Sequence, residues 1–309
     1  MLIFWIAVFI VSLFVLVKGA DWLLASSEKI GLRIGLSPFI IGVTIVAFGT
    51  SLPELISGFV AVSQGISEVV VANAVGSNIA NILLVVGVSA IVGKRLSVSK
   101  DLIDLDLPLI ALSTAIFLLV AFDGSITFFE SMFLIITYVI YLGFSLIYKD
   151  DEFDKKVSRP KVKPNDILML VIGTIGLSVG AKYLVDSIQA LSLILNITPG
   201  VIAITAVALG TSLPELIVSV KAALRKQSEV ALGNIFGSNI FNLLAVVGLP
   251  GIFGVLYIDQ QTLTLGLPVL LMATILFIIS GISRRIHVQE GALYLMLYVI
   301  FITKLFGLF

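Results

Sequence analysis

Two stretches of the chain put oxygen chemistry inside apolar surroundings. The first reads Val46-Ala47-Phe48-Gly49-Thr50-Ser51-Leu52-Pro53-Glu54-Leu55-Ile56 and the second Val207-Ala208-Leu209-Gly210-Thr211-Ser212-Leu213-Pro214-Glu215-Leu216-Ile217. Each combines a carboxylate, two hydroxyls, a glycine and a proline. In a helix, Ala47, Thr50, Ser51 and Glu54 are three or four residues apart and share one face, as do Ala208, Thr211, Ser212 and Glu215. A carboxylate deep in an apolar segment costs several kcal/mol unless it is paired, hydrated or bound to a cation, and marks function by default. No Lys or Arg stands mid-segment as a permanent partner. Lys221, six residues beyond Glu215, is expected to reach toward the end of its span and snorkel.

The prolines shape the backbone around these groups. Pro53 and Pro214 cannot donate to the carbonyls of Gly49 and Gly210, four residues back, and push them aside. A break there turns carbonyl oxygens toward a buried ligand instead of lipid. A second pair of motifs follows each stretch: Gly76-Ser77-Asn78-Ile79-Ala80-Asn81 and Gly237-Ser238-Asn239-Ile240-Phe241-Asn242. Ser77 with Asn81, and Ser238 with Asn242, lie four apart and can complete a shell. The small residues also allow close helix packing, and the amides can bond between helices.

The candidate ligand set is thus all oxygen: the carboxylates of Glu54 and Glu215, the amides of Asn81 and Asn242, the hydroxyls of Thr50, Ser51, Ser77, Thr211, Ser212 and Ser238, and freed carbonyls. The chain has no cysteine, and its single histidine, His287, falls in a loop. Such donors suit Ca²⁺, Na⁺, Mg²⁺ or Mn²⁺ and argue against Zn²⁺ or Cu⁺. Ligands drawn from several helices favour Ca²⁺ over Mg²⁺, which dehydrates reluctantly. Two carboxylates balance one Ca²⁺, or two to three Na⁺ spread over the same oxygens. If the two occupancies exclude one another, competition couples their movements. No nucleophile–base pair or metal–water constellation supports an enzyme, and no cofactor is expected.

The elements that carry these residues are membrane helices. The chain has 309 residues, 59% hydrophobic and only 12% charged, against about 25% charged in a soluble domain. Continuous apolar runs such as 109–122 and 267–279 exclude the alternating pattern of a membrane barrel. Zero formal net charge, with no basic or acidic tail, gives no sign of nucleic-acid binding. Ten spans are expected, at 2–24, 37–64, 68–93, 105–122, 126–148, 166–190, 198–224, 229–255, 263–282 and 290–307. No positive residue precedes the first apolar run, which is therefore expected to be a retained helix and not a signal peptide. The long polar segment 149–165 divides the chain into five-span halves, 1–148 and 166–309.

The halves are copies at one offset. Pro38 matches Pro199, Thr44 matches Thr205, Glu54 matches Glu215, Asn73 matches Asn234, Ser77 matches Ser238 and Asn81 matches Asn242, each pair 161 apart. Lys and Arg then set orientation. They occupy the loops after spans 1 (Lys29, Arg33), 3 (Lys94, Arg95, Lys100), 7 (Arg225, Lys226) and 9 (Arg284, Arg285) and the linker, and are absent from those after spans 2, 4, 6 and 8. The basic loops are expected to be cytoplasmic, which places both termini outside. Equivalent loops of the two halves fall on opposite sides, as an odd number of spans requires. The expected fold is therefore an all-α polytopic membrane protein of two inverted five-helix repeats, with helices 2 and 7 broken, the design of secondary transporters with a midplane site. Asp21, Glu68, Asp123, Glu130, Asp186 and Asp259 lie near span ends and read as interfacial, and Trp5 and Trp22 as an aromatic belt.

The Gly-Thr-Ser-Leu-Pro-Glu motif and the Gly-Asn-Ile-Phe-Gly-Ser-Asn-Ile-Phe-Asn run ending at Asn242 resemble the repeats of the sodium/calcium exchanger family, within the calcium/cation antiporters. The resemblance covers both repeats and, through the ten-span architecture, the whole chain. It implies exchange of three Na⁺ for one Ca²⁺ by alternating access, with spans 1 and 6 sliding against a fixed core of eight. It also implies that Glu54 and Glu215 bind both ions, and that Thr50, Ser51, Ser77, Thr211, Ser212 and Ser238 and the carbonyls of Ala47 and Ala208 complete the sites. Some members carry Asp where this chain has Asn242, typically those that need potassium, so Asn242 favours potassium-independent exchange. The proton-coupled branch usually has Gly-Asn-x-x-Glu at the first glutamate; Gly49-Thr50-Ser51-Leu52-Pro53-Glu54 departs from it and points to sodium. The linker is too short for the cytosolic regulatory domains of animal exchangers. Calcium/proton exchange is the nearest alternative and a passive cation channel the alternative of another class. The expected partners are the two ions and the lipid bilayer, with no protein partner evident.

Overall fold

The computed structural model of the chain describes residues 2–97, 106–147, 159–194, 210 and 212–307. Its helices are α1 (Leu2–Arg33), α2 (Pro38–Thr50), α3 (Leu52–Ser63), α4 (Glu68–Val92), α5 (Asp106–Asp123), α6 (Phe128–Ile147), α7 (Pro164–Ile194), α8 (Leu213–Leu224), α9 (Ser228–Gly251), α10 (Thr262–Ile282) and α11 (Val288–Leu305). Eight of them are long and apolar enough to cross a bilayer. The bent pair α2–α3 makes a ninth among the described residues. The span expected at 198–224 is described only in its last part, α8. The first and sixth spans run longer than expected: α1 continues through Ser26, Ser27 and Glu28 to Arg33 because nothing before Gly35 breaks it. At 1.5 Å per residue it is about 48 Å long, more than the hydrocarbon core needs.

Helices α4 and α9 form the centre, and the whole apolar window of α9 is buried. Helix α6 packs on the C-terminal half of α9 and its repeat mate α11 on that of α4, while the mates α5 and α10 meet each other. Helices α1 and α7 pair along their length on the outside. They cross nearly backbone to backbone: a Cβ on Gly19 would lie 2.7 Å from the Leu177 nitrogen, and one on Gly180 2.7 Å from the Leu16 nitrogen. Small residues are what allow such contact between membrane helices.

Two short antiparallel ribbons lie in segments that the sequence left as loops: β1 (Arg95–Ser97) with β4 (Arg285–His287), and β2 (Ser125–Ile126) with β3 (Leu256–Tyr257). Their registers carry the symmetry of the fold. Arg95 pairs with His287 and Ile126 with Leu256. Moving each residue to its repeat mate turns the first pair into the second. The ribbons stand at opposite ends of the helices, as two repeats of inverted orientation demand.

Helices α4 and α9 each widen into one π-helical turn, at Asn81–Val85 and Asn242–Val246. These are equivalent positions, and each turn starts at the asparagine singled out from the sequence. Such turns recur at functional sites because they leave backbone groups and side chains out of the regular ladder.

Candidate cation-binding site

The two glutamates sit in the same local structure. Ser51 has φ −93° and ψ 8°, and Ser212 has φ −82° and ψ 5°, so equivalent hydroxyls stand at non-helical positions just before the helices that follow. Leu52-Pro53 and Leu213-Pro214 then start α3 and α8. Proline suits a first helical turn, where its missing N–H is not needed. Glu54 and Glu215 fall in those first turns, where the positive end of the helix dipole favours a carboxylate. Both side chains are 0% exposed.

Around Glu215 the expected ligands bond to each other. Ser51 Oγ donates to Glu215 Oε1 over 2.7 Å and stands 3.0 Å from Ser238 Oγ, which lies 3.3 Å from Thr50 Oγ1. Thr50 Oγ1 is 3.2 Å from both the Ala47 carbonyl and Asn234 Oδ1, and the Ala47 carbonyl also accepts from the Ser51 nitrogen at 3.0 Å. Asn234 Nδ2 donates to Ser219 Oγ at 3.0 Å. Three elements, α2, α8 and α9, are thereby joined at one half of the centre. There α2 lies hard against α9: a Cβ on Gly42 would be 2.8 Å from the Asn234 nitrogen.

The other half is different. Among the described residues, Glu54 Oε1 and Oε2, Glu215 Oε2, Asn81 Oδ1 and Asn242 Oδ1 are buried oxygens without a hydrogen-bond partner. Buried polar atoms are nearly always satisfied. A set of five such oxygens on α3, α4, α8 and α9, two of them on one carboxylate, has the chemistry of a hard-cation shell. A cleft of about 470 Å³ is lined by the candidate ligands Ser77 and Ser212 and by Gly210, Asp259, Gln261 and Leu305. Asp259 and Gln261 follow β3 directly, so the cleft extends to the end that carries the β2–β3 ribbon, away from the basic loops.

The structure therefore brings together Glu54, Glu215, Asn81, Asn242, Thr50, Ser51, Ser77, Ser212, Ser238 and the Ala47 carbonyl. Ala208 and Thr211 lie outside the described residues. Sequence reasoning named Asn234 only as a repeat position, and it did not single out Ser219 at all. The signal available was polarity at an inward position, since Asn234, Ser219, Asn78 and Asn239 are all buried. Asn78 Nδ2 donates to the Asn239 carbonyl at 2.9 Å, joining the two repeats at equivalent residues.

The profile of a family described as sodium/calcium exchanger protein matches residues 4–147 and 165–307. The chain belongs to the sodium/calcium exchanger family. It is 32% identical to the sodium/calcium exchanger MaX1 of Methanosarcina acetivorans, over 97% of each chain. It is 34% identical to an uncharacterized membrane protein of Methanocaldococcus jannaschii, over 99% of each. A solved structure of the sodium-calcium exchanger NCX_Mj, soaked with Na⁺ and Sr²⁺, superposes with a TM-score of 0.82 at 33% identity, covering 97% of this chain and 98% of that one. The protein is thus a multi-pass membrane transporter of the exchanger type, with two matching halves. The family likeness runs through every helix that contributes to the oxygen cluster.

Proposed function

We propose that this exchanger moves Na⁺ against Ca²⁺ across the cell membrane by alternating access, three Na⁺ for one Ca²⁺ and without potassium. The observation that carries the reading is the set of buried oxygens on Glu54, Glu215, Asn81 and Asn242 that have no hydrogen-bond partner among the described residues, at the meeting point of two inverted repeats. Two carboxylates neutralise one Ca²⁺. Three Na⁺ on the same groups leave one positive charge, so each cycle moves net charge. Neutral Asn242 keeps the centre at two carboxylates and gives a potassium ion no third charge to balance. Thr211 and the Ala208 carbonyl, by repeat equivalence with Thr50 and Ala47, complete the half-site on the cleft side. The repeats span 1–148 and 166–309, joined by the cytoplasmic linker 149–165, and both termini face outside.

The passage open to the β2–β3 end and the bonded cluster at the other half are what one state of an alternating-access cycle requires. The sodium/calcium exchanger MaX1 and NCX_Mj, similar over nearly their whole lengths, add support for the ion pair. The test is uptake of radioactive Ca²⁺ into proteoliposomes loaded with Na⁺, then with a pH gradient, then with neither. Uptake that follows the Na⁺ gradient, and reverses with it, is expected. Uptake driven by the pH gradient alone makes the protein a calcium/proton exchanger, and uptake that needs no counter-ion makes it a channel.

A further inference from the structure

The ion pair that joins the outer helix α1 to α8 has no counterpart in the other repeat. Asp21 of α1 is held by Lys221, 2.7 Å away, and by Arg225, both on α8. Lys221 Nζ also donates to the Val17 carbonyl at 2.8 Å, and Gln227 Nε2 donates to Glu28 Oε2 at 2.9 Å. Lys29 pairs with Asp166 at 2.8 Å, so α1 and α7 are tied to each other at the same end. Applying the 161-residue offset to the contact replaces Asp21 by Lys182, Lys221 by Val60, Arg225 by Gln64, Gln227 by Ile66 and Glu28 by Gln189. Nothing in that set can form an ion pair.

An inverted repeat exchanges its two end states by swapping the roles of the halves. If the contacts were fully symmetric, the two states would have equal energy. Bonds made on one side only must therefore bias the equilibrium. We infer that Asp21, with Lys221 and Arg225, is a latch that holds the α1–α7 pair against α8 and keeps the passage on the basic face shut. The latch is half-buried, with Lys221 and Asp21 19% and 27% exposed, so its attraction is less screened than that of a fully exposed pair.

The inference rests on the alternating-access reading, so its test must not depend on transport. The chain has no cysteine, which leaves a single introduced thiol as the only site for a maleimide. Val230→Cys places it where α9 is covered by the start of α2, on the shut side. Ala72→Cys places it in the cleft. In purified full-length protein, Asp21→Asn is expected to raise the labelling rate at Val230→Cys about fivefold, the scale of a part-exposed ion pair. Asp21→Lys, which sets three cations together, is expected to raise it further and to slow labelling at Ala72→Cys. Asp21→Glu is expected to restore both rates. Unchanged labelling at Val230→Cys in both variants overturns the latch. So does a rise there with labelling at Ala72→Cys unchanged in Asp21→Lys, because that pattern is local loosening. Calcium uptake by the unsubstituted protein, measured in parallel, judges the exchange reading separately.

Discussion

Ser51 Oγ donates to Glu215 Oε1 over 2.7 Å, while among the described residues its repeat mate Ser212 makes no such bond to Glu54. One glutamate is held by its own ligand set and the other is not. The two carboxylates are chemically identical and start equivalent helices, yet their described surroundings differ. Each should respond differently to substitution in the absence of ions.

Glu54→Gln and Glu215→Gln each remove one of two charges that balance a divalent ion. Losing such a partner is worth about 3 kcal/mol, or roughly a hundredfold in affinity. Exchange in proteoliposomes is expected to fall to background for both, with folding intact by gel filtration. In ion-free buffer Glu54→Gln is expected to melt no lower than the parent, because it removes a buried carboxylate that has no partner among the described residues. Near-normal transport by either variant would falsify their role as shared ligands.

Ser51→Ala leaves Glu215 Oε1 without its donor, whereas Ser212→Ala breaks no bond among the described residues. The first is expected to lower stability in ion-free buffer by about 1–3 kcal/mol, the cost of an unsatisfied buried acceptor, and the second by much less. Thermal denaturation of the two variants side by side measures the difference.

Calcium should stabilise the folded protein by mass action, by about 2.7 kcal/mol at a concentration of 100 times Kd. A melting temperature that climbs with Ca²⁺ in the unsubstituted chain and stays flat in Glu54→Gln is the expected result. Sr²⁺, another hard cation, should act in the same direction.

Asn242→Asp adds a third carboxylate beside the other two. Calcium uptake by this variant is expected to become sensitive to added K⁺, while the unsubstituted protein ignores it. Equal K⁺ response in both proteins would remove Asn242 as the residue that sets charge at the centre.

Gly19→Val puts a branched side chain where α1 and α7 cross at backbone distance. A Cβ there would already lie 2.8 Å from the Gly173 carbonyl. Overpacking of this kind costs about 1–3 kcal/mol. A lowered melting temperature is expected, with weaker transport than at exposed control positions such as Ile10.

Much of this arrangement was legible in the residues themselves. The spans came from apolar continuity, and the inverted repeat from one offset combined with the sidedness of Lys and Arg. Glu54 and Glu215 stood out because a carboxylate in an apolar run is costly. Other features depend on who meets whom in space. Asp21 read as an interfacial acid, since local sequence does not show that Lys221 and Arg225, about two hundred positions away, face it. The π-helical turns at Asn81 and Asn242 leave no periodic trace, because one extra residue in a turn does not alter a continuous apolar run. The ribbons were unreadable for a related reason: strands of two or three residues are too short to show alternation, and their register is set by helices that hold the loops together. Asp123 and Asp259 proved to be local caps, bonding the nitrogens of Ser125 and Thr262.

The two ribbons mark off a frame of six helices from the outer pair α1 and α7. Main-chain hydrogen bonds across β1–β4 and β2–β3 clamp the ends of α4, α5, α6, α9, α10 and α11 at both faces. Among the described residues, α1 and α7 join that frame through side-chain bonds and apolar packing, such as Leu23 against Gly49, and through no strand pairing. In the alternating-access cycle proposed above, moving the pair would break no ladder. The work of one such stroke would be of the order of a few ion pairs, close to what one charge crossing 100 mV supplies, about 2.3 kcal/mol. The driving gradient and the fastening it must release are matched in scale.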